Sequence, residues 1–386
     1  MMERRERLEK RRALMGFTQE SLAARLGLAV STVGRWERGT GTPQPWNQPD
    51  LAKALDVSLD SLADLLCPAQ AADGDRVSQS MLHPAQLDVI TVAHLRQRVQ
   101  SLDQQYDRVP STALIADAGH VLGQIAFLSH HAPGGRARRE LCCVEAEAAT
   151  LMGQLVWDAS QRRDHVNARR YFDQAIRAAR EVGDIAAEGH ALLRTSYLAL
   201  YGEKDPFAGL QLTNLTADTT HRTSHTLTGL ALLHAAEANA MLGDTAACEA
   251  ALSQAESRFD RIASSDGAEH LYSPTQFNRL AGSCYLFLGD HRRAQQILEQ
   301  AARATVRRSN KSHAIVLGNL SLAHLGQRQL DAATATLNEA IDVVEATRGG
   351  GGLNVIFDAG RALREWRDEP LVQDVYDRLL SLMTVA

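Results

Sequence analysis

Few residue sets in this 386-residue chain have the types and spacing of a reactive centre. His221 and His225 stand four apart, the spacing of a helical metal pair, yet no Glu or third ligand accompanies them as metal-dependent hydrolysis would need. The run Gly349-Gly350-Gly351-Gly352 has the glycine content of a phosphate loop, but no Gly-Lys-Ser/Thr follows it, and it reads as a flexible connection before the last helices. The cysteines Cys67, Cys142, Cys143, Cys248 and Cys284 lack paired C-x₂-C spacing, and their odd number argues for the reducing cytoplasm over a secreted disulfide framework. Cys142-Cys143 lies in an apolar helical stretch, where thiols behave as small hydrophobes. No Ser/His/Asp or Cys/His set assembles from local signatures. The expectation is a chain that is not an enzyme, with no catalytic residue, metal or cofactor.

Charge offers a different chemistry. The chain carries a formal net charge of −5, but residues 1–38 hold nine Lys/Arg against five Glu and are net +4. A basic head on an acidic body suggests that a polyanion binds at the N-terminus and something else further on. With 45% hydrophobic and 23% charged residues most of the chain should fold, and with only 5% aromatics and few turn signals it should fold as helices. No secretory signal is visible, and the most apolar long stretch, Leu227 to Leu242, is shorter than the ~20 residues of a bilayer span. No membrane partner is expected.

Residues 1–66 divide into five short helices. Gly16 ends the first, Thr18 caps the second with Glu20 in its first turn, and Gly27 stops it. The third, Val30 to Arg38, puts Val33 and Trp36 on one face and leaves Ser31, Arg35 and Arg38 to another. A Gly/Thr/Pro loop, 39–49, precedes Asp50–Leu55 and a last helix capped by Ser58.

The stretch Thr18-Gln19-Glu20-Ser21-Leu22-Ala23-Ala24-Arg25-Leu26-Gly27-Leu28, followed by Val33-Gly34-Arg35-Trp36-Glu37-Arg38-Gly39, resembles the Cro/C1-type (XRE) helix-turn-helix. The resemblance covers about 60 residues. It implies a DNA-binding domain in which Gln19 contacts phosphate, Val30, Ser31, Thr32 and Arg35 face base edges with Arg38 beside them, and Arg12 pairs with Glu37 as scaffold. Ala29 departs from the pattern, standing where the family has a Ser or Thr N-cap, a loss of ~0.5–2 kcal/mol.

Residues 67–84 turn small and polar and read as a linker, and 85–135 read as connecting helices, 85–108 and 111–131, separated by Pro110. A long helix runs from about Arg136 to Ser160. Across 136–386 a small-x₃-large-x₂-small/large pattern then recurs, at Ala168/Phe172/Ala175, Ala208/Leu212/Leu215, Cys248/Leu252/Ala255, Ala294/Leu298/Ala301, Ala333/Leu337/Ala340 and Val372/Tyr376/Leu379. Gly-Asp turns at Gly243-Asp244 and Gly289-Asp290 precede copies, with Gly326-Gln327 as a variant. The period resembles a long tetratricopeptide repeat, in which helix pairs stack because no single pair can bury its own apolar face. The expected fold is all-α, a five-helix head followed by a helical solenoid.

In such a solenoid the first helix of each pair would turn Trp157, His190, Arg194, Tyr197, His234, Glu237, Gln276, Arg279, Ser283 and His313 toward the concave groove. These types could hold an extended peptide or small anionic ligand, Arg taking a carboxylate and Tyr or Trp an apolar part. The head-and-body order resembles peptide-responsive bacterial regulators. This implies a homodimeric transcription regulator binding double-stranded DNA, with a peptide or small-molecule effector in the groove. A DNA-tethered interaction scaffold without a small ligand is the alternative.

Overall fold

The computed structural model describes residues 5–66, 69–305 and 311–384, all in helices and connecting turns with no strand among them. The chain divides into two compact units, Met1–His94 with His131–Pro133, and Leu95–His130 with Gly134–Ala386.

The first unit opens with five helices, α1 (Glu6–Leu14), α2 (Gln19–Leu26), α3 (Val30–Glu37), α4 (Gln48–Ala54) and α5 (Leu59–Leu66). They enclose one core in which Leu22, Val33, Trp36, Leu51, Leu55 and Leu62 are buried. Thr18 caps α2 as its sequence requires, its hydroxyl accepting from the Ser21 amide while Ser21 Oγ accepts from the Thr18 amide. Ala29 caps nothing. The 67–84 stretch, expected as a linker, contains helix α6 (Ala69–Leu82), for its Ala and Gln residues are good helix formers. Cys67 lies outside the described residues.

Helices α7 (Val89–Gln105) and α8 (Ser111–His131) follow. Among the described residues α8 alone is long and apolar enough to cross a membrane. It buries Leu114, Ala118, Val121, Leu122, Ile125 and Leu128 within the protein.

Six helix pairs complete the second unit: α9 (Arg136–Ala159) with α10 (His165–Val182), α11 (Ile185–Tyr197) with α12 (Pro206–Thr220), α13 (His225–Met241) with α14 (Thr245–Phe259), α15 (Pro274–Phe287) with α16 (His291–Thr305), α17 (Lys311–Gly326) with α18 (Leu330–Thr347), and α19 (Gly350–Ala362) with α20 (Pro370–Thr384). Odd-numbered helices pack on one another as an inner layer and even-numbered ones form the outer layer. Every copy of the repeat pattern falls on an outer helix. Ala168, Phe172, Ala175, Cys248, Ala294, Leu298, Ala301, Ala333, Leu337 and Ala340 are all buried. At Gly243 and Gly289 the backbone is left-handed (φ 79° and 78°), and the following Asp244 and Asp290 cap the next helix.

Two local expectations are corrected. In α12 the buried set is Gly209, Thr213 and Thr216, one residue on from Ala208/Leu212/Leu215, and Leu215 is exposed. The threonine hydroxyls tolerate this burial by donating to helix carbonyls, Thr216 to Leu212 at 2.8 Å. At the variant turn the left-handed residue is Arg328 (φ 59°). The tetraglycine is no flexible connection. Gly350, Gly351 and Gly352 are buried in the first turn of α19, because side chains there would collide with the neighbouring helices.

Those glycines let the last inner helix reach the first. The Gly350 amide donates to Asp158 Oδ1 at 2.8 Å, and a Cβ on Gly350 would stand 2.8 Å from the Asp158 carbonyl oxygen. Asp158 Oδ2 also accepts from Lys311 Nζ (2.8 Å) and from Ser111 Oγ (2.7 Å). The inner layer is thus joined end to end by one buried carboxylate.

Candidate functional site

In the first unit, Arg12 of α1, Gln19 of α2 and Glu37 of α3 meet at one buried carboxylate. Glu37 accepts from Arg12 Nε at 2.6 Å and from Gln19 Nε2 at 2.5 Å, and Arg12 also donates to the Phe17 carbonyl at 2.7 Å. The three bonds set the angle between α2 and α3, and with it the surface that α3 presents. On that surface Val30, Ser31, Arg35 and Arg38 are exposed and Thr32 is half-buried, while Val33 and Trp36 face the core. Gln19, half-buried at the N-terminus of α2, is engaged with Glu37. Arg5 holds the following loop by donating to the carbonyls of Trp36 (3.1 Å) and Gly41 (2.6 Å) and to Thr42 Oγ1 (3.2 Å).

In the second unit the inner helices line a cavity of 1320 Å³. Of the groove residues expected from sequence, Trp157, Arg194, Tyr197, His234, Glu237, Gln276, Arg279 and Ser283 reach it. His190 lies behind it, its Nε2 accepting from Arg194 Nε at 3.2 Å. His313 is buried on α17 and is not among the lining residues.

Two irregularities of the backbone supply lining residues that periodicity does not show. After Tyr197, α11 widens into a π-helical turn, Leu198–Glu203, a rare geometry that re-aims a side chain and concentrates at functional sites. It carries Tyr201 to the cavity. After α9, Gln161 and Arg162 are consecutive left-handed residues (φ 52° and 61°), a strained turn for non-glycines. This turn brings the Arg162 guanidinium 4.5 Å from the Trp157 ring centre.

Tyr201 organises the cavity wall. Its hydroxyl donates to Glu237 Oε2 and stands 2.6 Å from His234 Nδ1, while Ser283 Oγ donates to Glu237 Oε1 at 2.6 Å. Having one proton, already given to Glu237, the phenol accepts from His234 Nδ1–H, which assigns the tautomer and leaves Nε2 as an acceptor. Burial depresses the His234 pKa, against the opposing pull of Glu237, so the ring is neutral near pH 7. Burial raises the Glu237 carboxyl, but the adjacent His234 and the bonds from Ser283 and Tyr201 outweigh it and keep the group below the ordinary range. Serine, histidine and glutamate here do not make a nucleophilic triad, because Ser283 bonds the carboxylate and not the imidazole.

Four buried polar atoms of cavity-lining residues have no hydrogen-bond partner among the described residues: Trp157 Nε1, Arg162 Nε, His234 Nε2 and Arg279 Nε. Each such atom left unmet costs about 1–3 kcal/mol, which structures tolerate chiefly where something else supplies the bond. Among the described residues no group of His, Cys, Asp and Glu could hold a metal ion. His221 and His225 fall in different helices, His221 ending α12 and His225 beginning α13.

A DNA-reading head built on an ion-paired helix-turn-helix, carried with stacked helix pairs around a polar cavity, defines a class: DNA-binding transcription regulators with tetratricopeptide-like repeats. The comparisons are specific. The helix-turn-helix family model matches residues 8–62. Over 57 residues the chain is 42% identical to the HTH-type transcriptional regulator YazB of Bacillus subtilis (strain 168), covering 15% of this chain and 83% of that protein. The chain belongs to this helix-turn-helix family. Of solved structures, the Rap protein complexed with Competence and Sporulation Factor is similar in fold over 98% of both chains, with TM-score 0.51 and 11% identity. The apo form of the quorum sensor NprR from B. thuringiensis matches 82% of this chain and 88% of its own at TM-score 0.45 and 13% identity.

Proposed function

We propose that this regulator binds duplex DNA as a homodimer through α3 and that its repeat unit senses a peptide or small ligand in the cavity. Residues 1–66 carry the DNA affinity, with Arg35, Ser31, Thr32 and Val30 at base edges and Arg38 beside them. Two heads on half-sites one helical turn apart need a fixed spacing, and a ligand that prefers one arrangement of the repeat unit changes that spacing.

The observation that carries the sensing reading is the set of buried, partnerless donors and the one acceptor on the cavity wall. A scaffold that merely presents its outer surface to proteins has no use for such atoms. The Rap protein, of similar fold, is solved in complex with Competence and Sporulation Factor, which is in keeping with a fold of this kind that binds a ligand.

The test is DNA affinity, with and without cell extract, for the wild type and for Arg194→Ala/Arg279→Ala. The expected result is an extract-dependent shift in wild type that the double variant loses while keeping its ligand-free affinity. A shift that persists unchanged in the variant removes the cavity from the mechanism.

A further inference from the structure

The polarity of the cavity wall is a template for the ligand. Trp157 Nε1, Arg162 Nε and Arg279 Nε can only donate, and the first belongs to a side chain that is 95% buried by its 5% exposure. His234, 2% exposed, supplies the acceptor among these buried partnerless atoms, since Tyr201 takes its Nδ1–H. Three of the acidic neighbours of these cations are already engaged, while Asp103 and Asp107 also line the cavity. Glu237 accepts from Tyr201 and Ser283, Asp158 from Lys311, Ser111 and Gly350, and Asp358 from Arg361.

We propose that the cavity takes an organic oxyanion carrying an N–H or O–H donor beside its charge, the oxyanion held by Arg279 and the donor by His234 Nε2, with Trp157 and Arg162 completing the acceptor contacts. The inference rests on the sensing reading above and specifies the ligand it requires. A planar guanidinium matches carboxylate and phosphate alike, so the shared chemistry is the oxyanion. Neutral apolar molecules leave the donors unmet, and cations meet Arg279 and Arg162 with like charge. Tyr197, its ring centre 4.4 Å from that of His234, gives the donor-bearing part an aromatic face to lie on.

The proposal also exploits the two backbone irregularities. The π-helical turn places Tyr201, whose pairing with Glu237 puts the histidine proton on Nδ1. The strained turn places Arg162. Both geometries are costly unless used.

The experiment uses the full-length protein, ¹⁵N-labelled and without DNA, and reads the imidazole nitrogens of His234 and the Nε–H of Arg279 by NMR, assigned with His234→Gln and Arg279→Gln. The probes are N-acetylglycine, its methyl ester, N-acetylsarcosine and glycerol 3-phosphate, each titrated to tens of millimolar. In the free protein the His234 proton is expected on Nδ1. N-acetylglycine or glycerol 3-phosphate should move both signals saturably, the tighter of the two identifying carboxylate or phosphate. The ester, which lacks the charge, and N-acetylsarcosine, which lacks the donor, should bind at least tenfold more weakly than N-acetylglycine.

Arg279→Gln, at a half-buried position, should fold as wild type by circular dichroism and lose at least tenfold in affinity for the effective probe. A proton on Nε2, an ester as effective as the acid, or no response to any probe overturns the proposal. Because DNA is absent, the two readings fail separately. An oxyanion bound here with DNA affinity indifferent to extract leaves the site intact and removes the sensing role, and the reverse pattern removes the oxyanion chemistry alone.

Discussion

Asp158 and Lys311, 153 residues apart in the chain, stand 2.8 Å apart with side chains almost wholly buried. The ammonium also lies 4.1 Å from the Tyr106 ring centre and donates to Ser111 Oγ. Removing one member leaves the other charge buried without its partner. Asp158→Ala is expected to destabilise the repeat unit by about 3–5 kcal/mol. Chemical denaturation of the full chain checks the magnitude, and hydrogen exchange should show lost protection first at the start of α19. An effect below 1 kcal/mol would mean that the two ends do not depend on this carboxylate.

The tetraglycine gives a second test of the same closure. A Cβ on Gly350 meets the Asp158 carbonyl oxygen of a neighbouring helix, while at Gly134 nothing lies within 4 Å. Gly350→Ala is expected to cost about 1–3 kcal/mol and Gly134→Ala almost nothing, as overpacking against backbone cannot be relieved by a rotamer change. Thermal unfolding of the two variants compares them directly. Equal melting temperatures would restore the flexible-connection reading.

In the head, Arg35 is free on the exposed face of α3 and Gln19 is bound to Glu37. Arg35→Ala should therefore cost ~1–3 kcal/mol on a specific site and relax preference at one position of each half-site. Gln19→Ala should weaken all sequences alike. Binding measured on specific and random duplexes separates them, and equal losses for Arg35→Ala on both would make Arg35 a phosphate contact.

Glu37 is the acceptor that joins three helices, so Glu37→Ala leaves Arg12 buried and uncompensated. Its expected cost is about 3–5 kcal/mol of head stability. The reading is the melting of the head followed by the fluorescence of the buried Trp36. A wild-type transition would show that packing alone orients α3.

Burial depresses the pKa of both His190 and His234, the nearby Arg194 adding to the effect. A histidine depressed in the folded state binds protons more readily when unfolded, so stability falls as pH drops below the unfolded value of about 6.5. It levels off once the folded pKa values are passed. Denaturation midpoints between pH 7.5 and 5 should decline, and more shallowly in His190→Gln. A midpoint that is flat across this range contradicts neutral burial of the two rings.

Much of this protein was legible in its residues. Helix caps, Gly-Asp turns and a pattern of small and large residues are local or periodic signals, and they locate the head and the six outer helices, while most of the groove residues expected from sequence do reach the cavity. The register at α12 was misread because Gly209, Thr213 and Thr216 are not apolar, and their burial depends on hydroxyls bonding to helix carbonyls. Tyr201 and Arg162 were missed for a different reason. A π-turn and a pair of left-handed residues break the 3.6-residue period on which the reading of faces depends.

From the residues alone follow an all-α chain and stacked helix pairs, because those features depend on contacts between residues close in the chain or repeated along it, and the resemblance of residues 18–39 adds a Cro/C1-type head. What folding alone settles is that Gly350 and Gly351 let α19 close onto α9, that one aspartate joins positions 153 and 192 residues away, and that the cavity-lining His234 keeps a partnerless nitrogen. Those facts depend on how small rotations between successive helix pairs accumulate over six units. No local pattern encodes that sum, and a tautomer is set by the partner that folding delivers.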